Sequence, residues 1–344
     1  MGSLSSLYLA FGSFVGPHIA FAGGVAAAGY AGRKGKLASG TDILSSLNGL
    51  RRQVLDDLSA QRVALPQRRK EPFRPGVRYE NQKEPPRITV SLSRLDQLSG
   101  ELLARKPALI YLPAQEAAEN PQALERCQQA GVPVAALLPR ICSDGETQAL
   151  EDALVTLRRL GVEEALAGTL GVARRAMGLG FRVRSDFGIG VYNSQSLKEL
   201  KRLGFVAATA SFELKLAQIR DLSKAIPLEF IAYGRLPLMI TENCIIYNRS
   251  GQHTCTGVNQ LVDRKGERFP VVKAWGCRNE ILNSKKLFLA DQWNDWQRAG
   301  LWAGRLHSTT ENASECVQVM DRYLGRGSYQ PNEYTRGLYY RDVE

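Results

Sequence analysis

The sequence predicts an α/β protein: a TIM-like β/α barrel, complete or nearly so, with a cysteine-bearing C-terminal extension. Two observations carry this. From Arg87 onward short apolar, β-branched runs alternate with segments of helical spacing, and several of those segments end in Gly, as helix C-termini do. Alternating strands and helices imply parallel β-structure with right-handed crossovers. A third observation is negative: no GxGxxG follows the first run, which weakens the competing doubly wound open sheet.

The runs are "ITVSL" (88–92), "ALIYLP" (108–113), "VPVAALLPR" (132–140), "EALAGTLG" (164–171), "FRVRSDF" (181–187), "FVAATAS" (205–211) and "LEFIAYG" (228–234). Between them lie amphipathic stretches such as "QALERCQQAG", "ETQALEDALVTLRRLG" and "SLKELKRLG". Seven such units in about 150 residues are compact enough to close a barrel. The barrel is therefore expected over 87–240 and the extension over 241–344.

Two segments precede the barrel. Residues 1–40 are rich in Gly and Ala. Residues 41–86 comprise a helix, with Leu47, Leu50, Val54, Leu55 and Leu58 at helical spacing, and then a basic, proline-rich linker. The uncharged stretch 7–31 is long enough to span a bilayer, but Pro17, His18 and the absence of a charged segment before it argue against stable membrane insertion. The opening "MGSLSS" fits a myristoylation pattern that short sequences often match by chance.

The 344 residues carry 45 Lys and Arg against 34 Asp and Glu, a net charge of +11. That surplus suits an acidic partner such as RNA or an anionic small molecule, and equally an ordinary solvated surface. Six widely spaced cysteines do not form a disulfide scaffold and fit a reducing, cytoplasmic compartment. Three of them, Cys244, Cys255 and Cys277, fall in one region and are candidate metal ligands.

In a β/α barrel the active groups lie just beyond the C-terminal ends of the strands. The polar residues expected there are Arg140, Asp186, Asn193, Glu213 and Arg235. Arg140, Asn193 and Arg235 are candidates for binding an anionic substrate, and Asp186 and Glu213 for positioning it or moving protons. Ser194 and Ser211 read better as helix N-caps.

At "YGRLPLMITENC" the chain resembles peptidase family U32, the collagenase-like peptidases, and in particular the second half of its long bacterial members. "PVAALLPR", "DFGIGVYNSQSLKELKRLGF", "SFELKLAQI", "DRKGERFPVV", "EILNSKKLFLAD" and "TRGLYYRDVE" follow the family's order across roughly 87–344. The earlier barrel of long members, with cysteines after a His-Gly pair, has no counterpart here. Lys273 stands where a further cysteine is expected. A partner domain or subunit is the expected source of the missing barrel.

The resemblance implies two chemistries. One is anaerobic hydroxylation of an RNA base using an iron–sulfur cluster held by cysteines, with a prephenate-like hydroxyl donor. Three cysteines are one short of four ligands, so His253 and Cys316 are candidates for the fourth; zinc and simple buried thiols are the alternatives. The other is proteolysis. The chain has neither HExxH nor GxSxG, which leaves a Cys244–His253 pair oriented by Glu242. An inactive fragment or RNA-binding scaffold is the non-enzymatic alternative.

Overall fold

The computed structural model describes residues 40–65, 71–72, 76–252 and 259–341. The chain divides into two compact units, Met1–Arg74 and Pro75–Glu344. In the first, α1 spans Gly40–Val63, as the leucine spacing predicts. The uncharged 7–31 stretch lies outside the described residues.

The second unit contains the barrel. Its first seven strands are β1 (Arg87–Leu92), β2 (Ile110–Pro113), β3 (Val134–Leu137), β4 (Glu164–Ala167), β5 (Arg182–Ser185), β6 (Ala207–Thr209) and β7 (Leu228–Gly234). Each falls on one of the seven apolar runs, β1 starting one residue before its run. Next come β8 (Pro237–Thr241), β9 (Asn259–Val262), β10 (Arg268–Lys273), β11 (Asn279–Leu282) and β12 (Lys286–Phe288). The closing strand, β13 (Ala303–Ser308), pairs in parallel with both β7 and β1 and completes an eight-stranded parallel barrel. It lies within the residues that the sequence assigned to the extension. A short β14 (Tyr334–Thr335) pairs with β12 outside the barrel.

The helices of this unit are α2 (Gly100–Ala104), α3 (Ala114–Glu119), α4 (Pro121–Gln129), α5 (Thr147–Arg159), α6 (Leu170–Gly178), α7 (Ser194–Arg202), α8 (Leu216–Asp221), α9 (Ile245–Ser250), α10 (Trp293–Arg298) and α11 (Ala313–Tyr323). Apolar faces fix those around the barrel. α5 buries Leu150, Ala153, Leu154 and Leu157, the i, i+3, i+4, i+7 pattern. α5 and α7 stop at Gly161 (φ +85°) and Gly204 (φ +90°), a left-handed conformation that residues with a Cβ rarely adopt. Asn193, not Ser194, caps α7: its Oδ1 accepts from the N–H groups of Gln195 and Ser196, each at 2.9 Å. Ser211 lies ahead of α8, where its Oγ accepts from Glu213 N–H.

Strands β8–β11 form a separate antiparallel sheet in the order β8-β11-β10-β9. It is built around a small apolar cluster of Cys244, Ile246, Val271 and Ile281, with Cys277 packed against it. No helix among the described residues is long and apolar enough to cross a membrane.

Candidate active site at the barrel mouth

Polar side chains from six points around the barrel meet inside it. Arg305 of β13 is 1% exposed and donates from Nη2 to Asp186 Oδ1 at 2.5 Å and to Thr209 Oγ1 at 3.1 Å. Its Nε lies 3.4 Å from Glu229 Oε2 of β7. Glu229 also accepts from the Thr89 hydroxyl of β1 and, at 3.3 Å, from Tyr111 Oη of β2. Such contacts across the barrel require all these side chains to point inward. Arg305 also stacks 5.3 Å from the Tyr111 ring centroid. Lower down, Arg184 pairs with Glu164 at 2.5 Å and lies over Trp302.

Burial and charge set the protonation of this interior. Burial pushes the Glu229 carboxyl up from its ordinary range, against the pull of Arg305. Burial and the Glu229 carboxylate push the Tyr111 phenol well up, so it remains a hydrogen-bond donor. A buried cation between two buried carboxylates is an expensive arrangement unless each charge is paired. Here all three are.

Above this layer, at the C-terminal ends of β1 and β13, Ser91 Oγ lies 2.7 Å from His307 Nδ1. Ser91 is buried and His307 is partly exposed. Burial first, then the positive charge of Arg305, lowers the His307 pKa to about 4. Gly234 (φ +120°) lets β7 pass so close that a Cβ there would overlap the His307 carbonyl.

The sequence candidates take different positions. Asp186 is buried against Arg305 and also accepts from Phe187 N–H at 2.8 Å. Glu213 is exposed and bonded to the Tyr192 hydroxyl, away from the Asp186–Arg305 pair. Arg140 lies 5.0 Å over the Phe187 ring and pairs with Glu280 Oε1 of β11 at 2.7 Å. Arg235 turns to the β11–β12 connection, donating to Asn283 O at 2.9 Å and to Ser284 O, with its Nε buried and unpaired among the described residues. Asn193 serves as the α7 cap.

The cysteine-bearing sheet attaches to the barrel through two clusters of ion pairs. Besides Arg140–Glu280, Arg278 is 3% exposed and bonds both Glu146, in the loop after β3, and Glu242, each within 2.8 Å. Cys244 Sγ accepts from Tyr247 N–H at 3.4 Å at the start of α9. Cys277 follows Gly276, and both adopt left-handed backbone (φ +61° and +68°). For a residue with a Cβ this costs energy, and such strain is found most often at functional sites. Cys255 and His253 lie outside the described residues. Among the described residues, no group of three or more His, Cys, Asp or Glu is placed to hold a metal. Cys316 and Cys127 belong to the main core, where burial pushes both thiols up to about 11. Cys316 therefore does not join Cys244 and Cys277. Glu242, the proposed orienter of a Cys244–His253 pair, is engaged by Arg278.

Sequence reasoning missed Arg305, Glu229, His307 and Ser91 as a set. The usable signal was a charge inside an apolar strand, as in "LEFIAYG" and "AGRLHS"; a buried charge must find a partner in the fold.

Fold and site together define a β/α-barrel protein whose mouth carries a paired ionic core and a cysteine-bearing sheet. The family model for peptidase family U32 matches residues 114–324, more than half of the chain, and the chain belongs to that family. A family of unknown function matches residues 4–48. No curated protein matches the chain. Among solved structures, the chain is similar to a U32 peptidase at 12% identity and TM-score 0.41, covering 71% of this chain and 98% of that one. It is also similar to thiamine phosphate pyrophosphorylase from Pyrococcus furiosus, at 10% identity and TM-score 0.38, covering 69% and 94% of the two chains. A third is the Bacillus cereus spore cortex-lytic enzyme SleL, at 7% identity and TM-score 0.37, covering 74% and 76%.

Proposed function

We propose that this U32-family chain is an enzyme, or the substrate-binding half of one, that hydroxylates an RNA base with the help of an iron–sulfur cluster. The observation that carries the reading is the placement of Cys244 and Cys277 in one apolar cluster of a sheet tied to the barrel rim. Thiolates are the soft anionic ligands that iron–sulfur cores need. The Tyr247 N–H donates to Cys244 Sγ and fixes its position, and the left-handed backbone at Cys277 holds a second thiol on a fixed turn. Cys255 would be a third ligand.

When bound, such a cluster supplies one-electron redox chemistry. The chain's own residues would bind and orient the substrate. Asp186, held by Arg305, presents a fixed negative charge just beyond β5, and Glu213 lies further out on the rim. Arg140, stacked on Phe187 and paired with Glu280, joins the aromatic rim to the cysteine sheet and would place the negative charge of a substrate or hydroxyl donor between them. Arg235 would contribute by shaping the β11–β12 turn, and Asn193 by fixing the start of α7. The net charge of +11 suits an RNA substrate. Mass spectrometry of RNA nucleosides from cells with and without the gene tests the reading. A hydroxylated base that disappears on deletion and returns with the wild type, but not with Cys244→Ser, supports it. Unchanged nucleosides would refute it.

A second reading, proteolysis, is favoured by one observation, the Ser91 Oγ–His307 Nδ1 hydrogen bond at 2.7 Å. Covalent labelling of Ser91 by a fluorophosphonate would support it, and no labelling of the folded protein would count against it.

A further inference from the structure

We propose that His307 donates a hydrogen bond from Nε2–H to a carbonyl oxygen on the substrate's planar ring, and that Ser91 is the positioning residue that fixes this tautomer. The inference deepens the base-modification reading and rests on it. It names the substrate feature recognised, an exocyclic keto group of a nucleobase.

The tautomer follows from hydrogen-bond accounting. Ser91 is 1% exposed, and among the described residues the only side-chain partner of its hydroxyl is His307 Nδ1. A buried hydroxyl must place its proton on an acceptor or forfeit that bond. If Nδ1 carried the ring proton, Ser91 Oγ–H would have no acceptor there. With the ring proton on Nε2, Ser91 Oγ–H donates to Nδ1 and both groups are satisfied. His307 Nε2 has no partner among the described residues and is not among the buried unpaired atoms. The residue is partly exposed at the C-terminal end of β13, where barrel active sites form.

The charged groups around the ring keep it neutral. Arg305 and Arg140 oppose a second proton while Asp186 and Glu311 favour one, and burial together with Arg305 prevails. A neutral imidazole beside a fixed cation is a poor acid but a good donor. It can polarise a carbonyl without giving up its proton. In the layer below, the Arg305 guanidinium is engaged by Asp186, Thr209 and Glu229, so His307 is the donor at the rim.

The test is imidazole nitrogen NMR on histidine-labelled full-length protein. The chain has only three histidines, so loss of a signal in His307→Gln assigns the ring. We expect Nε2–H, Nδ1 as acceptor, and a neutral ring from pH 5.5 to 8. We expect Ser91→Ala to remove a tautomer bias of roughly 5- to 150-fold. Adding oligouridylate should shift the Nε2–H signal, and an oligonucleotide of purine riboside, whose base carries no exocyclic oxygen, should not. An Nδ1–H tautomer, a charged ring at pH 6, or equal responses to the two oligonucleotides would overturn the inference. Loss of the base-hydroxylation reading would instead appear as unchanged cellular RNA with these spectra intact.

Discussion

Replacing Arg305 with Met tests the barrel's ionic core most severely. The substitution keeps an unbranched apolar stem and removes a charge that lies 2.5 Å from Asp186 and 3.4 Å from Glu229. Those carboxyls are 4% and 2% exposed, so water cannot replace the guanidinium. Removing one partner from a buried ion pair costs about 3–5 kcal/mol, against a total domain stability of about 5–15 kcal/mol. The penalty should depend on pH in a defined direction. Burial already pushes the Glu229 carboxyl up against the pull of Arg305, and removing Arg305 takes that pull away, so its folded-state pKa lies further above its unfolded value. The destabilisation would then be small at acid pH, where Glu229 is protonated, and grow as pH rises. Urea unfolding followed by tryptophan fluorescence at pH 5 and pH 8 gives the assay. The expected loss is about 3–5 kcal/mol at pH 8, clearly less at pH 5, with about 1 kcal/mol or more recovered at pH 8 by adding Glu229→Gln. A loss under about 1 kcal/mol at both pH values, or a larger loss at pH 5, would show that Arg305 does not hold a buried ionic core together.

Three further outcomes follow from the same geometry. The depressed His307 pKa means that between pH 6.5 and about 4 the unfolded chain binds a proton that the folded chain does not. Stability should thus be full above 6.5 and fall by up to about 3 kcal/mol toward pH 4, and His307→Gln should flatten that slope in a urea titration series. Gly234→Ala, which combines φ +120° with overlap of the His307 carbonyl, should cost about 1–3 kcal/mol or more and lower the melting temperature by several degrees. Arg278→Ala, which unties Glu146 from the small sheet, should raise hydrogen exchange in residues 259–282 about tenfold or more while leaving the barrel strands protected.

Most of the seven strands that could be read from the sequence share a property: they are short, largely apolar runs followed by a polar turn or a helix, as in "ITVSL" and "LEFIAYG". Strand β13 was not legible because "AGRLHS" places Arg305 and His307 inward and Gly304 against the Trp296 ring. An inward-facing polar strand lacks the continuous apolar run of a buried parallel strand. Asp186 was legible as a residue just beyond a strand end because it directly follows β5. Its partner Arg305 comes from the far end of the chain, and sequence spacing contains nothing about that pairing. Arg140 and Arg235 were correctly placed beyond strand ends, but what each bonds, Glu280 and the 283–284 carbonyls, depends on where the small sheet docks. The cysteines were legible as a group. That Cys244 and Cys277 share an apolar cluster while Cys316 packs in the main core became clear only from the fold.

Iron and acid-labile sulfide analysis of the full chain purified anaerobically tests whether the cysteine sheet holds a cluster. Stoichiometric iron and sulfide are expected in the wild type and in Cys316→Ser, with loss of both in Cys244→Ser and Cys277→Ser. Protein without iron or sulfide, with the thiols of Cys244 and Cys277 titrating normally, would contradict a cluster there.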